Sequence, residues 1–472
     1  MPPSNGRPGE KRVRPDYEGR PPDTASAGDV LLWIPRIALY PVHLTLNWLV
    51  RKPIVWAITR AEANYLFTRV ENALTFFNGK ATLFPTFLAD FGLNPAVGLA
   101  YTHNDLFADG NTFALSVAVW NPEEWLRVAV RNEQLALNDD SGLFVLEGEF
   151  LRRPDQVYYG LGADTRTDDE RIYAIERAEV GFELFATLHE LNKISFRTRF
   201  RSVTFDNENA RAPALGRTLN LNGEPLERPG AIAFGTPETI PGFDDRYQLL
   251  EHRIHLMLDS RSPDTQYEGG TGLRFEAFGS FEWDPTQTSL HFFRVGGEVS
   301  AFYDFSGNGH VAGIRAYTEF LLDGVSEGEV PFTELPQMGG NEGEVPFTEL
   351  PQMGGNEVMR GYLPGRFVGK YAVAVTGTYR YPVWSLLDAE IYGSIGNAFG
   401  TPDEVNGNPI VGDGSQRFSV KRLYAAGGIG LRTNLDRDTA LSILFGLGTN
   451  RFDSSDFGID SIRFTFGVTQ GF

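Results

Sequence analysis

The chain has 472 residues, of which 42% are hydrophobic and 13% aromatic, and it contains no cysteine. This length suits two or three soluble domains or one large β-barrel, and the lack of cysteine excludes disulfides, thiol nucleophiles and thiolate metal sites. The formal net charge of -19 argues against a nucleic-acid partner, because no net basic field would attract phosphates.

Residues 1–29 are polar and rich in proline, a composition typical of disorder. They lack the apolar core of a signal peptide, so we expect either that the numbering starts at a mature end or that the protein is not exported. No run of about 20 uncharged apolar residues occurs anywhere in the chain, so no membrane-spanning helix is expected.

Residues 30–79 are apolar and aromatic but are interrupted by Pro35, Pro41 and Pro53, each of which ends or kinks a helix. Short apolar helices that carry tryptophan beside basic residues are typical of the membrane–water boundary. We therefore predict an amphipathic, interfacial helical segment. A helical hairpin packed on a soluble core is the alternative.

From residue 80 to residue 472 the pattern changes to a period of two. In the last segment, SIRFTFGVTQGF, the apolar residues fall on one face and the polar residues and glycines on the other. Roughly sixteen such segments occur. So many long alternating strands predict an antiparallel transmembrane β-barrel of about 16 strands in outer-membrane lipid, apolar outside and polar inside.

The placement of charges supports a wet lumen. Arg197, Arg199 and Arg201 share one face of a predicted strand, and Glu179 and Glu183 share one face of the strand before it. Arginine facing lipid near the bilayer centre would cost roughly 2–4 kcal/mol, whereas these charges can pair inside a lumen. We predict a lattice of mixed charges there; the solvated face of a soluble sheet is the alternative.

Two long connections interrupt the strands. Asp206–Asp245 is predicted to be one external loop. A second connection contains GEVPFTELPQMGGNE twice in succession, at Gly328–Glu342 and Gly343–Glu357. An insertion of odd length within a strand would move every later side chain to the opposite face, so the duplication must lie in a loop, which absorbs it at small entropic cost. We interpret it as a recent slippage or an assembly error in the sequence.

The second copy is followed by VMRGYLPGRF, which contains Arg360, Gly361 and Tyr362. This stretch resembles the sixth external loop of outer-membrane barrels of the BamA/TamA superfamily (the bacterial surface antigen type), whose members insert, assemble or translocate outer-membrane proteins. Further matching positions are Tyr159–Gly162, Asp259, Arg261, Gly269, Tyr379, Arg380, Pro382 and the terminal aromatic Phe472.

The resemblance implies that the loop folds into the lumen and that an aspartate on a later strand binds the loop arginine. In this sequence Ser394 stands where that aspartate is expected. We predict Glu390 as the substitute partner of Arg360, with Asp388 next, since a buried guanidinium needs a carboxylate. A solvent-exposed Arg360 is the alternative.

Assembly members of the superfamily carry periplasmic POTRA modules, and residues 1–79 contain no pattern for one. We expect Val30–Asn78 instead to dock on a periplasmic partner, to lie on the inner leaflet or to enter the lumen as a plug. No catalytic constellation, metal site or cofactor site is predicted, so we expect no enzyme. Three functions remain. The first is an assembly or translocation barrel that pairs client strands at the seam between its first and last strands, where Gly467 and Gly471 would weaken closure. The second is a passive or gated, porin-like pore for small solutes, and the third is an anchor for a periplasmic partner bound through residues 30–79.

Overall fold

The computed structural model describes a large part of the chain. The described residues are 48, 52, 56, 60, 73–90, 93–120, 125–135, 142–163, 165, 170–189, 191–205, 246–261, 270–286, 290–305, 310–322, 330–334, 337–338, 358–384, 387–400, 404–405, 408–409, 418–436, 439–454 and 458–470. The predicted disordered segment, most of residues 30–79, Asp206–Asp245, Gly269, Gly471 and Phe472 lie outside them.

Sixteen long strands form the barrel, and alternating sequence patterns produce them. Their bounds are β1 Ala81–Asp90, β2 Ala96–Asn104, β3 Asn111–Val119, β4 Leu126–Leu135, β5 Gly142–Tyr158, β6 Arg171–His189, β7 Asn192–Phe205, β8 Tyr247–Asp259, β9 Gly272–Trp283, β10 His291–Asp304, β11 Val311–Leu322, β12 Tyr371–Trp384, β13 Leu387–Phe399, β14 Tyr424–Asp436, β15 Thr439–Thr449 and β16 Ile459–Gln470. Strands of this length are sufficient to cross a bilayer.

Each strand pairs antiparallel with the next one along the chain, and β1 pairs with β16 to close the ring. The pairing of β1 with β16 joins the two end strands of the sheet into a ring. The prediction of a 16-stranded antiparallel barrel is thereby confirmed. No helix within the described ranges is long and apolar enough to span a membrane.

The two faces of the wall are inverted relative to those of a soluble protein. On the outer face apolar side chains are exposed, such as Ile254 at 57%, Leu273 at 63% and Ile462 at 62%. Arg463, the next residue after Ile462, is 4% exposed and points inward. Apolar groups outside and charged groups inside are the arrangement that lipid requires.

Strand alternation places every second connection at the same end of the barrel. The end that holds the connections after β7, β11 and β13 carries the longest ones, and the connections at the opposite end are short apart from residues 260–271 between β8 and β9. The loop between β11 and β12, residues 323–370, is called the lumen loop below. It contains the duplicated segment, as predicted, and its described parts are 330–334, 337–338 and 358–370.

Of the predicted N-terminal helical segment the structure describes little. Trp48, Lys52, Trp56 and Arg60 are spaced four residues apart, with Lys52 3.1 Å from the centre of the Trp48 ring and Arg60 5.6 Å from that of Trp56. Thr75–Phe76 forms a two-residue strand just before β1. The predicted interfacial role of residues 30–79 stays a prediction.

Candidate functional site

The tip of the lumen loop, Arg360–Tyr362, lies inside the barrel against β13–β16. Arg360 is 9% exposed. Its Nη2 donates to Glu390 Oε1 on β13, and its guanidinium lies 4.0 Å from the centre of the Tyr392 ring. The planar guanidinium of Arg360 therefore forms an ion pair with the Glu390 carboxylate and stacks on the Tyr392 ring at the same time.

Other residues suggested as partners of Arg360 occupy nearby positions on β13. Ser394, two alternations beyond Glu390, is buried and its Oγ lies 2.9 Å from Thr376 Oγ1 on β12. Asp388 lies two residues before Glu390 and opposite Arg432 of β14. Among these three positions it is Glu390 that forms the described ion pair with the tip.

The backbone of the tip lies directly against β15. Gly361 of the tip and two glycines of β15, Gly446 and Gly448, leave space for this contact. A Cβ atom on Gly361 would collide with the carbonyl oxygen of Leu447. In the same way a Cβ on Gly448 would collide with the Tyr362 ring, and one on Gly446 would lie 3.0 Å from Arg360 O. Gly361 is needed because its backbone approaches that of β15 closely, Gly448 because the Tyr362 ring packs against it, and Gly446 because the Tyr392 hydroxyl and the backbone of the tip lie beside it.

Tyr362 anchors the tip through its hydroxyl group. The Oη lies 3.0 Å from the carbonyl oxygen of Ala425 and also contacts that of Thr449, and the side chain is 1% exposed. Burial raises the pKa of the Tyr362 phenol, so the group stays a neutral donor at any physiological pH.

The tip also holds the last strand. Ser461 Oγ donates to Gly361 O at 2.9 Å, and Arg463 Nη1 donates to Tyr362 O at 3.3 Å. Both donors lie on β16. Neither bond was predictable from the sequence, because the resemblance indicated only β13 as the partner of the loop.

A second cation of the lumen loop, Arg366, is 2% exposed and lies against the connection after β5. It donates to Thr165 Oγ1 at 2.8 Å and to Thr165 O at 3.2 Å. Its guanidinium stands 4.9 Å from the Tyr159 ring centre and 5.1 Å from that of Tyr424. The Tyr159–Gly162 motif is thus brought onto the lumen loop, and Gly162 N donates to Val368 O at 2.7 Å.

The predicted charged residues of β6 and β7 point into the lumen, where glutamates of β6 face arginines of β7. Arg197, Arg199 and Arg201 are 6%, 6% and 5% exposed, and Glu183 lies opposite Arg197 in the register. The ion pairs of this lattice are Arg127–Glu149 2.5 Å, Arg177–Glu149 3.3 Å, Arg177–Glu179 3.0 Å, Arg199–Glu179 2.9 Å, Arg201–Glu179 2.8 Å, Arg199–Glu251 2.8 Å and Arg197–Glu251 2.8 Å.

The residue that joins this lattice to the lumen loop, Glu334, was not predicted from the sequence. Glu334, in the first copy of the duplicated segment, accepts from Arg201 Nη1 at 2.5 Å and from the Tyr247 hydroxyl at 2.6 Å. Its other neighbour is Arg294 of β10, at 3.4 Å. The duplicated segment was interpreted as a passive insertion. Its glutamate lies between two prolines, in a loop next to a lumen rich in arginine, and this pattern could have indicated an ion pair with the wall.

The seam between β1 and β16 is short. Within the described residues, Phe87–Asp90 pairs with Thr465–Val468, whereas β16 pairs with β15 from Ile459 to Gln470. β16 therefore extends for six residues, 459–464, beyond its described register with β1. On the same edge of β1, Ala81–Thr82 pairs with the preceding strand Thr75–Phe76.

Of the remaining sequence motifs, Arg380 of β12 stands directly opposite Glu390, the partner of the tip, and Pro382 stands opposite Asp388. Arg261 forms an ion pair of 2.6 Å with Asp259 at the end of β8 and stands 4.6 Å from the Phe302 ring centre. In the part of the chain that the structure describes, no group of three or more histidine, aspartate and glutamate side chains has a metal-site arrangement.

No family model and no curated protein sequence matches the chain. Among solved structures, BamA from Haemophilus ducreyi lacking POTRA domains 1–3 is similar over 83% of this chain and 70% of that chain, with a TM-score of 0.51 and 13% identity. CdiB from Acinetobacter baumannii (83% and 60%, TM-score 0.47, 10% identity) and OprB from Pseudomonas putida (83% and 94%, 0.36, 8%) are less similar. The suspected resemblance therefore holds at the level of the barrel fold.

Proposed function

We propose that the protein is an outer-membrane barrel that assembles or translocates polypeptides at its seam, with the lumen loop closing the lumen and controlling the last strand. The observation that carries this proposal is the way β16 is held. Its described pairing with β1 covers four residues. The loop tip adds no strand to the sheet, but its carbonyl groups accept hydrogen bonds from Ser461 and Arg463 of β16.

The chemistry of an exposed strand edge favours a polypeptide as the substrate. On the seam side, Leu83–Thr86 pairs with β2 and with no other described strand. Backbone donors and acceptors that face lipid need partners, and an extended client strand supplies both in register by β-augmentation. Pro85 lies within this stretch, and proline is tolerated at strand edges because it lacks a donor.

The tip gives the seam a point of control. Releasing Gly361 and Tyr362 from β15 and β16 removes two hydrogen bonds to β16. On the edge of β16 that faces away from β15, the short pairing with β1 then remains. A barrel that opens between its first and last strands must break few backbone bonds to do so, and among the described strand pairings of the ring this seam requires the fewest.

An engineered disulfide tests the proposal directly, because the chain has no cysteine of its own. Ala89→Cys with Phe466→Cys places the two thiols on opposed residues of the seam. Proteoliposomes with the oxidised variant should lose the ability to speed the folding of a urea-denatured 16-stranded porin, followed by its heat-modifiable gel shift, and dithiothreitol should restore it.

The matched control is Val130→Cys with Gly148→Cys, an opposed pair on β4 and β5, which should remain active when oxidised. Equal activity of the two oxidised variants would contradict action at the seam. A wild-type protein that carries ion current but leaves porin folding unchanged would instead support the pore. Loss of a co-purifying periplasmic protein on deletion of residues 30–74, with porin folding unaffected in all variants, would support the anchor.

A further inference from the structure

The lumen contains a built binding site for the first copy of the duplicated segment. Glu334, 3% exposed, sits between Arg201, Arg294 and the hydroxyl of Tyr247, at 2.5, 3.4 and 2.6 Å. Two guanidinium groups and a phenol around one carboxylate make a site that selects an acidic side chain. This cluster is called the glutamate seat.

Neighbouring positions of the copy are recognised as well. Val330 is 3% exposed and packs in an apolar cluster with Tyr247 and Phe292. Thr333 Oγ1 lies 2.7 Å from the Tyr247 hydroxyl. Gln337–Met338 pairs antiparallel with Phe367–Val368. The wall thus recognises a valine, a threonine, a glutamate and a short stretch of backbone in one peptide.

The second copy presents the same groups in the same order. Val345, Thr348 and Glu349 repeat Val330, Thr333 and Glu334 with a shift of fifteen residues, because Gly343–Glu357 is identical to Gly328–Glu342. A site that recognises side chains and backbone of the first copy cannot distinguish the second by composition. Only the lengths of the tethers on either side can favour one copy.

The tethers allow either copy to reach the seat. With the first copy seated, seven residues precede Val330 and nineteen separate Met338 from Val358; with the second seated, these numbers become twenty-two and four. Four intervening residues span up to about 17 Å, and Met338 pairs with Phe367, which packs in one cluster with Val358. Loop-closure entropy then distinguishes the two arrangements by only about a factor of two.

We propose that the glutamate seat is a recognition site for the acidic peptide Val-Pro-Phe-Thr-Glu and that the two copies occupy it in exchange. The lumen loop then has two registers, fifteen residues apart, that share the same tip at Arg360–Tyr362. This inference does not depend on the function proposed above, because it concerns only which copy is bound in the lumen.

Cysteine protection in the full-length protein tests the exchange. Val330→Cys and Val345→Cys are introduced singly into the cysteine-free chain, and modification by a polyethylene glycol maleimide is followed in lipid nanodiscs. Exchange predicts that each introduced thiol is protected in part, with the two protected fractions differing by no more than a few-fold and adding to about one. Full protection of position 330 together with full reactivity of position 345 would overturn the proposal.

Neutralising one copy should move the other into the seat. Glu334→Gln is expected to expose the thiol introduced at position 330 and to protect the one introduced at position 345, and Glu349→Gln is expected to do the reverse. Glu342→Gln, the same change elsewhere in the first copy, is the matched control and should alter neither. If the reactivity at position 345 is unchanged by Glu334→Gln in a protein that keeps its heat-modifiable gel shift, the second copy does not use the seat.

Deleting residues 343–357 provides a variant with one copy only. The thiol of Val330→Cys should then be fully protected. When Glu334→Gln is added to this deletion, a synthetic GEVPFTELPQ peptide should bind in the empty glutamate seat. A thiol at position 330 that remains partly reactive in the deletion variant would show that the seat is incompletely occupied for a reason other than exchange, and would overturn the proposal.

Discussion

Gly361 of the lumen loop lies so close to the carbonyl oxygen of Leu447 on β15 that a side chain at this position would overlap the strand. The close approach lets the Gly361 carbonyl accept from Ser461 of β16. One residue thus links the loop to the last two strands of the barrel.

Gly361→Ala should destabilise the seated tip, because the added methyl forces either the loop or β15 to move. Overpacking of this kind costs about 1–3 kcal/mol. The measurement is the temperature of the heat-modifiable gel shift in detergent, which should fall. Gly393→Ala is the control, since a Cβ there meets no atom within 4 Å, and its transition should stay within the error of wild type.

Arg360 and Glu390 should be strongly coupled. Arg360→Ala and Glu390→Ala each break a buried ion pair, so each is expected to cost about 3–5 kcal/mol. The double variant should cost less than the sum, with an interaction free energy of about 0.5–3 kcal/mol in a double-mutant cycle of denaturant unfolding. Additive costs would show that the ion pair contributes nothing to holding the tip.

Arg360→Lys separates charge from shape. Lysine keeps the positive charge but cannot stack a planar group on Tyr392 as the guanidinium does at 4.0 Å. An intermediate loss of stability, between wild type and Arg360→Ala, is expected from the same unfolding measurement. Full rescue by lysine would mean that charge alone fixes the tip.

Ser461→Ala should loosen β16 without disturbing the rest of the barrel. The change removes one hydrogen bond to Gly361 O, worth about 0.5–1.5 kcal/mol. Amide hydrogen exchange should increase in β16 and in the tip but not in β8, which forms no part of the seam. Ser442→Ala on β15 is the matched control; an equal increase in exchange there would remove the special role of Ser461.

Asp105, in the turn between β2 and β3, should titrate below the usual range of aspartate. The amide of Gly110 donates to it at 2.9 Å and Lys80 Nζ lies 3.1 Å away, and these groups lower the pKa of its carboxyl, the Gly110 bond most. The depressed pKa means that this turn is stabilised above the ordinary pKa of about 3.9 and loses that stabilisation as pH falls through the lower, folded value.

Lys80→Met separates the two contributions at Asp105. Because the backbone bond is the larger cause, most of the lowering should remain in the variant, as measured by the carbon NMR titration of the Asp105 carboxyl. A return of the pKa to that of a free aspartate would contradict the leading role of Gly110.

The barrel itself was predictable from sequence because lipid imposes a simple rule on every strand: apolar outward, polar inward. Arg197, Arg199 and Arg201 follow that rule, as do Ile462 and Phe464 on the outside. The tip residues Arg360–Tyr362 stood out through a resemblance, and Glu390 stood out because a guanidinium in a lumen needs a carboxylate.

What sequence reasoning missed are contacts between residues far apart in the chain. The bond of Glu334 to Arg201 joins residues 133 positions apart, and the need for glycine at position 448 arises because the Tyr362 ring of the lumen loop packs on β15. Alternation assigns a side chain to the lumen but does not say which lumen residue a returning loop will meet. The passive interpretation of the duplicated segment left its Glu334 without a role.

In our proposal the lumen loop, bound at Glu334 on one wall and at Arg360 on the other, closes the barrel. Single-channel recording in planar bilayers tests this closure with wild type and with Arg360→Ala/Glu334→Gln/Glu349→Gln, in which both attachments are released. We expect wild type to be silent apart from rare events and the triple variant to show stable open-channel current. Equal, steady current through both proteins would contradict the account.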